Sequence, residues 1–333
     1  MKKYFMMSFC LVLHSFIFPQ KNPLPTGKLV DIGGYRLHID TKGKGTPAVI
    51  MIAGSQAFSL DWALVAPEIL RITKVCTYDR PALAFSDPGP MPRTFDQDVY
   101  ELHTLLKNAG IKPPYILVGH SLGGIIARRF EKKYPDEVKG LVLVDATSED
   151  ATLFMYNKIQ RLRDLSQNRI IPTIKVKTDT LTKVPERKEL EDFWKMAGEP
   201  KTYAPFDKLP LKFQQARIWA QRQPKVLLAD NGIYWAEEFA TMYADSLYSL
   251  GNKPVYVLSS GKDAFSKETD STMKAIWLEK LMQKEKMASL SSNSKHIITT
   301  KSGHEIHLEE PGLVITAIKE VIKAVRTGER LDK

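Results

Sequence analysis

The sequence has few of the features that mark cross-linked scaffolds or membrane-spanning chains. Its 333 residues include two cysteines, Cys10 and Cys76, and lack the run of ~20 apolar residues that a membrane-spanning helix needs. So few cysteines exclude a disulfide-rich fold, and the apolar segment around Cys76 predicts a buried strand residue instead of a reactive thiol. The composition shows no sign of a fibre or a repeat array.

Cationic residues outnumber acidic ones and give a formal charge of +10, yet they form no basic block. They are scattered along predicted helices, each usually near a glutamate, as with Lys132, Lys133, Lys280, Lys284 and Lys286. This scatter favours solvated helix faces over a nucleic-acid surface, so we expect no nucleic-acid partner.

Residues 1–20 have the organisation of a targeting segment. Lys2 and Lys3 are followed by the apolar run Tyr4–Phe18 and by a polar exit that begins at Pro19. A basic start, an apolar middle and a polar end are typical of a secretory signal peptide, which predicts export to the periplasm or the extracellular space. A permanent membrane anchor is the alternative. After removal of the leader we expect no stable membrane insertion.

Beyond this segment, short apolar runs alternate with helix-length segments. The predicted strands are Tyr35–Asp40, Ala48–Ala53, Lys74–Asp79, Tyr115–Gly119, Gly140–Asp145, Pro254–Ser259 and His296–Thr300. The predicted helices are Asp61–Arg71, Phe95–Ala109, Leu122–Tyr134, Ser271–Leu290 and Pro311–Arg326. The alternation predicts an α/β fold with a mainly parallel sheet and helices on both faces, built from two core parts, 28–147 and 252–328.

The stretch 148–251 breaks this alternation. It has no clear buried strand, and it carries helical patterns, several prolines and many aromatic residues. Because it is too long for a simple loop, we predict a helical insertion that serves as a lid and a pocket wall. A separate small helical domain is the alternative.

Residues Gly119–Gly123 read Gly-His-Ser-Leu-Gly and fit the pattern of a nucleophile elbow. In an elbow the chain turns sharply from a strand into a helix, which strains the serine backbone and excludes bulky neighbours. Here the motif follows the apolar run Tyr115–Val118 and opens a helix, which is the context that the elbow requires. Ser121 is therefore the predicted nucleophile, at the carboxyl end of a central strand.

A serine hydroxyl needs a base, and a histidine base needs an acid that orients it. His304 follows the last predicted strand, which is the expected place for the base. Two aspartates qualify as the acid: Asp263 follows the penultimate strand, and Asp145 follows the strand after the elbow helix. Both end neighbouring strands, so both stay open, and we prefer Asp263.

Two backbone N–H groups are predicted to form an oxyanion hole. The Leu122 N–H lies at the start of the elbow helix, and the Ser55 N–H follows the strand Ala48–Ala53. The segment Asp79–Pro81 is predicted to bound the cleft as a structural loop.

With these residues, the chain resembles the α/β-hydrolase superfamily over Leu29–Asp145 and Pro254–Arg326. The segment Tyr78–Asp87 is similar to the family's Asp-Arg-x-Gly-x-Gly-x-Ser sequence, with Ala82 and Ala84 where the family usually has glycine. The resemblance implies an eight-stranded sheet, no cofactor or metal, and hydrolysis of carboxylic esters or related acyl compounds through an acyl-enzyme.

We therefore expect a carboxylesterase- or lipase-like serine hydrolase whose partner is a small or medium apolar acyl substrate. A lactonase, thioesterase or amidase, or a cofactor-free haloperoxidase-like enzyme, would use the same residues. A ligand-binding protein without catalysis is the alternative from another class, and intact Ser121 and His304 argue against it. Epoxide and haloalkane hydrolases would need aspartate at position 121.

Overall fold

The computed structural model describes residues 23, 25–91, 93–148, 183–229, 249–266 and 271–331, together with the backbone of four short strands between 152 and 170. The predicted signal peptide, residues 1–20, lies outside the described residues, as does much of the predicted insertion. No helix in the described ranges is long and apolar enough to cross a membrane.

Twelve strands are described, and eight of them form the main sheet. In chain order the strands are β1 (Lys28–Asp31), β2 (Arg36–Lys42), β3 (Ala48–Ile52), β4 (Val75–Tyr78), β5 (Tyr115–His120), β6 (Val138–Val144), β7 (Thr152–Met155), β8 (Lys158–Arg161), β9 (Arg163–Asp164), β10 (Arg169–Ile170), β11 (Val255–Ser260) and β12 (Ser294–Thr299). The sheet order is β1-β2-β4-β3-β5-β6-β11-β12. β2 pairs antiparallel with β1 and β4, and every other pair of neighbours is parallel. This confirms the predicted sheet.

The helices of the described residues are α1 (Ala66–Ile69), α2 (Phe95–Ala109), α3 (Leu122–Lys133), α4 (Arg187–Ala197), α5 (Leu211–Gln221), α6 (Lys262–Phe265), α7 (Ser271–Ala288), α8 (Ile306–Glu309) and α9 (Pro311–Thr327). They cover both faces of the sheet. In β5, Leu117 belongs to a buried cluster with residues of α2 and α3, whereas Ile116 and Val118 belong to a cluster with residues of α9. This double cover explains why central strands such as β3 are apolar and buried at every position.

The helix predicted over Asp61–Arg71 is shorter and interrupted. A 3-10 turn covers Ser59–Trp62, and α1 covers Ala66–Ile69 with Pro67 in its first turn. Proline has no N–H to donate and is favoured in the first turn of a helix, so Pro67 marks a new start and not the interior of a longer helix.

The stretch 148–251 contains short strands as well as helices, whereas the sequence predicted a helical insertion with no clear strand. β7 pairs with β8 and β9 with β10, both antiparallel, and α4 and α5 follow. Only two residues separate β7 from β8, a spacing that suits a tight hairpin. Both strands are short, so neither has the long apolar run that would signal a strand in the sequence. β1, at the edge of the main sheet, was also not predicted.

The helices α4 and α5 pack against loops at the carboxyl ends of the main strands. Leu190 and Trp194 of α4 and Ala216 of α5 share a buried cluster with Phe58 and Leu83, which follow β3 and β4. Parallel sheets bind their ligands at this edge. Part of the insertion therefore lies beside the place where a site is expected.

Candidate active site

Ser121 lies in a sharp turn between β5 and α3. Its backbone has φ 51° and ψ −120°, a conformation that is costly for a residue with a Cβ. The Ser121 N–H donates to the Val144 carbonyl, and the Ser121 carbonyl accepts from the Thr147 N–H, both at 3.1 Å. These contacts tie the turn to the end of β6, and the positive φ of Ser121 is the strained geometry that the motif predicts.

The glycines around Ser121 are needed because other backbone segments lie against them. A Cβ at Gly123 would clash with the Ile52 carbonyl oxygen and lie 2.8 Å from the Ala53 carbonyl oxygen. A Cβ at Gly119 would clash with the carbonyl group of Gly123 itself. Because these neighbours are backbone atoms, they cannot move aside as the end of a flexible side chain can.

Gly123→Ala should therefore lower the free energy of unfolding by about 2–3 kcal/mol, because α3 must move away from β3 to make room. Urea unfolding followed by circular dichroism measures this loss. Gly312→Ala is a matched control in α9, where a Cβ meets nothing within 4 Å, and it should leave stability unchanged or slightly raised. An equal loss in the two variants would contradict the close packing of the elbow.

His304 follows β12 and lies beside the elbow. Its Nδ1 lies 2.6 Å from Asp145 Oδ2, and its carbonyl oxygen lies 3.0 Å from Nε2 of His120, the residue before Ser121. Since a carboxylate only accepts, Nδ1 carries the hydrogen, and Nε2 of the neutral ring keeps its lone pair. The side chain is 49% exposed, so a substrate can reach it.

Asp145, the alternative acid, is the carboxylate that His304 contacts. It follows β6 with φ 41°, and its N–H donates to the Leu258 carbonyl at 2.8 Å. Asp263 lies in α6, directly after β11, and its side chain lies outside the described residues. Because His304 Nδ1 has one hydrogen and directs it to Asp145, the preference for Asp263 is revised in favour of Asp145.

The other oxygen of Asp145, Oδ1, has two donors. The Ser260 N–H donates to it at 2.8 Å, and the Lys284 ammonium of α7 forms an ion pair with it. Burial alone would raise the pKa of Asp145, but the Lys284 charge and the His304 hydrogen bond outweigh burial and hold the pKa far below its usual range. Asp145 is therefore ionised at neutral pH.

The sequence placed Lys284 on a solvated helix face, and this prediction is wrong. Lys284 is buried with its ammonium on Asp145, whereas Glu285 and Lys286, which follow it, are exposed. Consecutive residues of a helix point in different directions, so an inward lysine can directly precede outward charged residues, and charge spacing alone does not tell them apart. Lys284 is thus a residue of the site for which the sequence carried no signal.

A second group of titratable residues lies next to His304. Glu305 Oε2 lies 3.6 Å from Nε2 of both His120 and His307, and the His120 and His304 rings are 4.6 Å apart. Burial lowers the pKa of His120 and of His307, so both are neutral at neutral pH.

Among the described residues, His120, Glu305 and His307 form the one group with the residue types of a metal site. His120 Nε2, however, lies 3.0 Å from the His304 carbonyl oxygen, which can only accept a hydrogen bond. That nitrogen therefore carries its hydrogen and has no lone pair for a metal ion. We therefore interpret His120, Glu305 and His307 as residues that hold the segment around His304 in place.

The two predicted oxyanion donors belong to segments on either side of Ser121. Leu122 is the first residue of α3, where N–H groups have no partner within the helix. Ser55 lies in the turn after β3, and a Cβ on Gly54 would lie 3.1 Å from the Ser121 Cβ. Arg80 donates to the Gly54 carbonyl at 2.9 Å. Because a trans peptide is planar, this bond also fixes the opposite direction of the Ser55 N–H.

The loop after β4 is held by buried hydrogen bonds. Asp79 accepts from His38 Nδ1 at 2.8 Å and from the Ser59 N–H at 2.7 Å. Ala82 and Ala84 have φ 66° and 37°, the left-handed region that glycine enters without strain. These angles explain why glycine is usual at both positions in the family that the sequence resembles.

A cavity of about 570 Å³ lies between the sheet and α5 of the insertion. Its lining includes Trp62, Phe85 and Phe213 but not Ser121 or His304. It is therefore separate from the hydrogen-bonded group around Ser121.

Comparison with known proteins identifies the family. Residues 47–311 match the family model described as alpha/beta hydrolase fold, which is well over half of the chain. The chain belongs to this family. The matched range includes Ser121, Asp145 and His304 as well as the insertion between β6 and β11.

Several relatives align over most of the chain. YqjL, an uncharacterised protein of Bacillus subtilis, is 27% identical over 297 residues, which cover 88% of this chain and 91% of that protein. A thermophilic esterase from Thermogutta terrifontis has a TM-score of 0.60 at 20% identity and covers 90% of this chain and 99% of its own. The enol-lactonase from Burkholderia xenovorans has a TM-score of 0.60 at 14% identity, with 89% and 100% covered. At these identities the two structures show a shared fold.

Proposed function

We propose that this chain is a serine hydrolase that cleaves a carboxylic ester of a small or medium apolar acyl substrate. The observation that carries the proposal is the hydrogen bond of 2.6 Å from His304 to Asp145, beside a strained Ser121. A buried carboxylate that fixes the imidazole tautomer leaves Nε2 ready to take a proton, which is what a serine nucleophile needs.

In the proposed reaction, His304 Nε2 takes the hydroxyl proton of Ser121 while the serine oxygen attacks the ester carbonyl carbon. The carbonyl oxygen becomes an oxyanion, which the N–H groups of Leu122 and Ser55 stabilise. The ester C–O bond then breaks, and His304 returns the proton to the departing alcohol. Water attacks the acyl-enzyme with His304 again as the base, which releases the acid and restores Ser121.

The apolar surroundings support an apolar substrate. Phe58 and Leu60 follow the loop that carries Ser55, and both lie in the buried cluster shared with α4 and α5. Ester hydrolysis is also the activity named for the Thermogutta terrifontis protein, and an enol-lactone is a cyclic ester. We further propose export through residues 1–20, with no stable insertion of the processed chain into a membrane.

A series of p-nitrophenyl esters with acyl chains of two to twelve carbons tests the proposal. We expect turnover of the short and medium esters, with an initial burst of p-nitrophenol because the acyl-enzyme forms before it is hydrolysed. The anilides of the same acids should react more slowly, since the amine is a poorer leaving group. A folded protein that turns over no ester in the series would contradict the proposed function.

A further inference from the structure

Lys284 is a buried cation placed on the carboxylate that orients His304. It lies in α7, between the acid and the base in the chain, and its ammonium contacts Asp145 Oδ1. The Asp145 side chain is 3% exposed and the Lys284 side chain 9%, so water screens the pair little.

Burial of a lysine is costly, so its place needs an explanation. Taking an ammonium out of water is unfavourable, and a well-packed apolar residue is often at least as stable in such a place. With Lys284 and the Ser260 N–H on Oδ1, however, the carboxylate cannot rotate, and Oδ2 is left facing His304. The lysine therefore fixes the direction of the acid.

The lysine charge also acts on the proton of His304. An ionised Asp145 attracts a proton to the imidazole, and a positive charge on the far oxygen reduces that attraction. The other titratable groups around this pair are His120 of β5, Glu285 of α7, His296 of β12, Glu305 and His307. Burial lowers the pKa of all three of these histidines, which favours their neutral form.

We propose that Lys284 is a positioning residue of the Ser121–His304–Asp145 site, which orients the acid and keeps the base free of its proton at lower pH than a site without the lysine could. The inference rests on the proposed function, because it assumes that His304 activates Ser121. Lys284 would then set the pH dependence of Ser121 activation in addition to its place in the fold.

The test is the rate of Ser121 labelling by a fluorophosphonate between pH 5 and pH 10, which needs no knowledge of the natural substrate. In Lys284→Met the midpoint of the rise in rate should move up by about one pH unit, because removal of a positive charge favours the imidazolium. The rate at pH 6 should then fall about tenfold, and the rate at pH 9 should fall much less. Lys284→Arg keeps the charge and should restore the midpoint to within about 0.3 units.

Controls separate this role from a structural one. Lys274→Met removes an exposed lysine of the same helix and should leave the midpoint unchanged. Thermal unfolding of each variant reports stability separately. If Lys284→Met does not fold, Lys284→Gln, which keeps a neutral donor, gives the same comparison.

The outcomes distinguish the two proposals. If folded Lys284→Met or Lys284→Gln is labelled with the same pH midpoint as the wild type, the role proposed for Lys284 is overturned. The proposed function would then remain intact. A wild-type protein that is not labelled at any pH would overturn the proposed function and this inference with it.

Discussion

Ser121→Ala is expected to lower kcat for p-nitrophenyl ester hydrolysis by about 10⁶-fold, to the level set by substrate binding and the oxyanion donors alone. The reason is geometric, because Ser121 lies in the strained elbow and the residue before it, His120, contacts the carbonyl oxygen of His304. No acyl-enzyme can form without that hydroxyl, so the burst should disappear as well.

Steady-state kinetics and circular dichroism together check this expectation. Alanine lacks only the hydroxyl, so the variant should unfold at nearly the same urea concentration as the wild type. Ser289→Ala, at an exposed position just after α7, is the matched control and should keep wild-type activity. A loss below about tenfold in Ser121→Ala would show that another group is the nucleophile.

Asp145→Asn is expected to lower kcat by about 10⁴-fold, the second largest effect. The amide can offer an N–H to His304 Nδ1, which favours the tautomer with its hydrogen on Nε2. That tautomer cannot accept the proton of Ser121. The substitution also leaves the buried Lys284 without its counter-charge, so some loss of stability should accompany the loss of activity.

Asp263→Asn is the matched comparison, since Asp263 follows the next strand of the sheet. We expect its kcat to stay within about threefold of wild type, because Asp145 already accepts the Nδ1 hydrogen of His304. The ratio of the two kcat values, measured under conditions in which circular dichroism shows both variants folded, decides which carboxylate serves the base. A larger loss in Asp263→Asn than in Asp145→Asn would contradict the assignment.

Much of the fold was predictable, because in the central helices and strands the local sequence signals agree with which residues are buried. α2 begins and ends at the predicted residues, since Thr94 accepts a capping hydrogen bond from the Gln97 N–H and Gly110 ends the helix in the left-handed conformation. The central strands are apolar at consecutive positions because helices cover both faces. Short pairings such as β7 with β8 depend on backbone contacts that leave little pattern in the side chains.

The site was predictable to the extent that single motifs define it. Gly119–Gly123 identifies Ser121 because the turn itself demands glycine, and the end of β12 identifies His304. The choice between Asp145 and Asp263 depends on how β6 and β11 end, which chain order does not reveal. The role of Lys284 could not be predicted from the sequence, since its contact with Asp145 joins residues that are 139 positions apart.

The most direct test of the central claim is the position of a fluorophosphonate label, mapped by mass spectrometry of tryptic peptides. We predict one phosphonyl group on Ser121, no label in Ser121→Ala, and slow labelling in Asp145→Asn. A label on another residue, undiminished labelling of Ser121→Ala, or no labelling of the folded wild-type protein would contradict the claim.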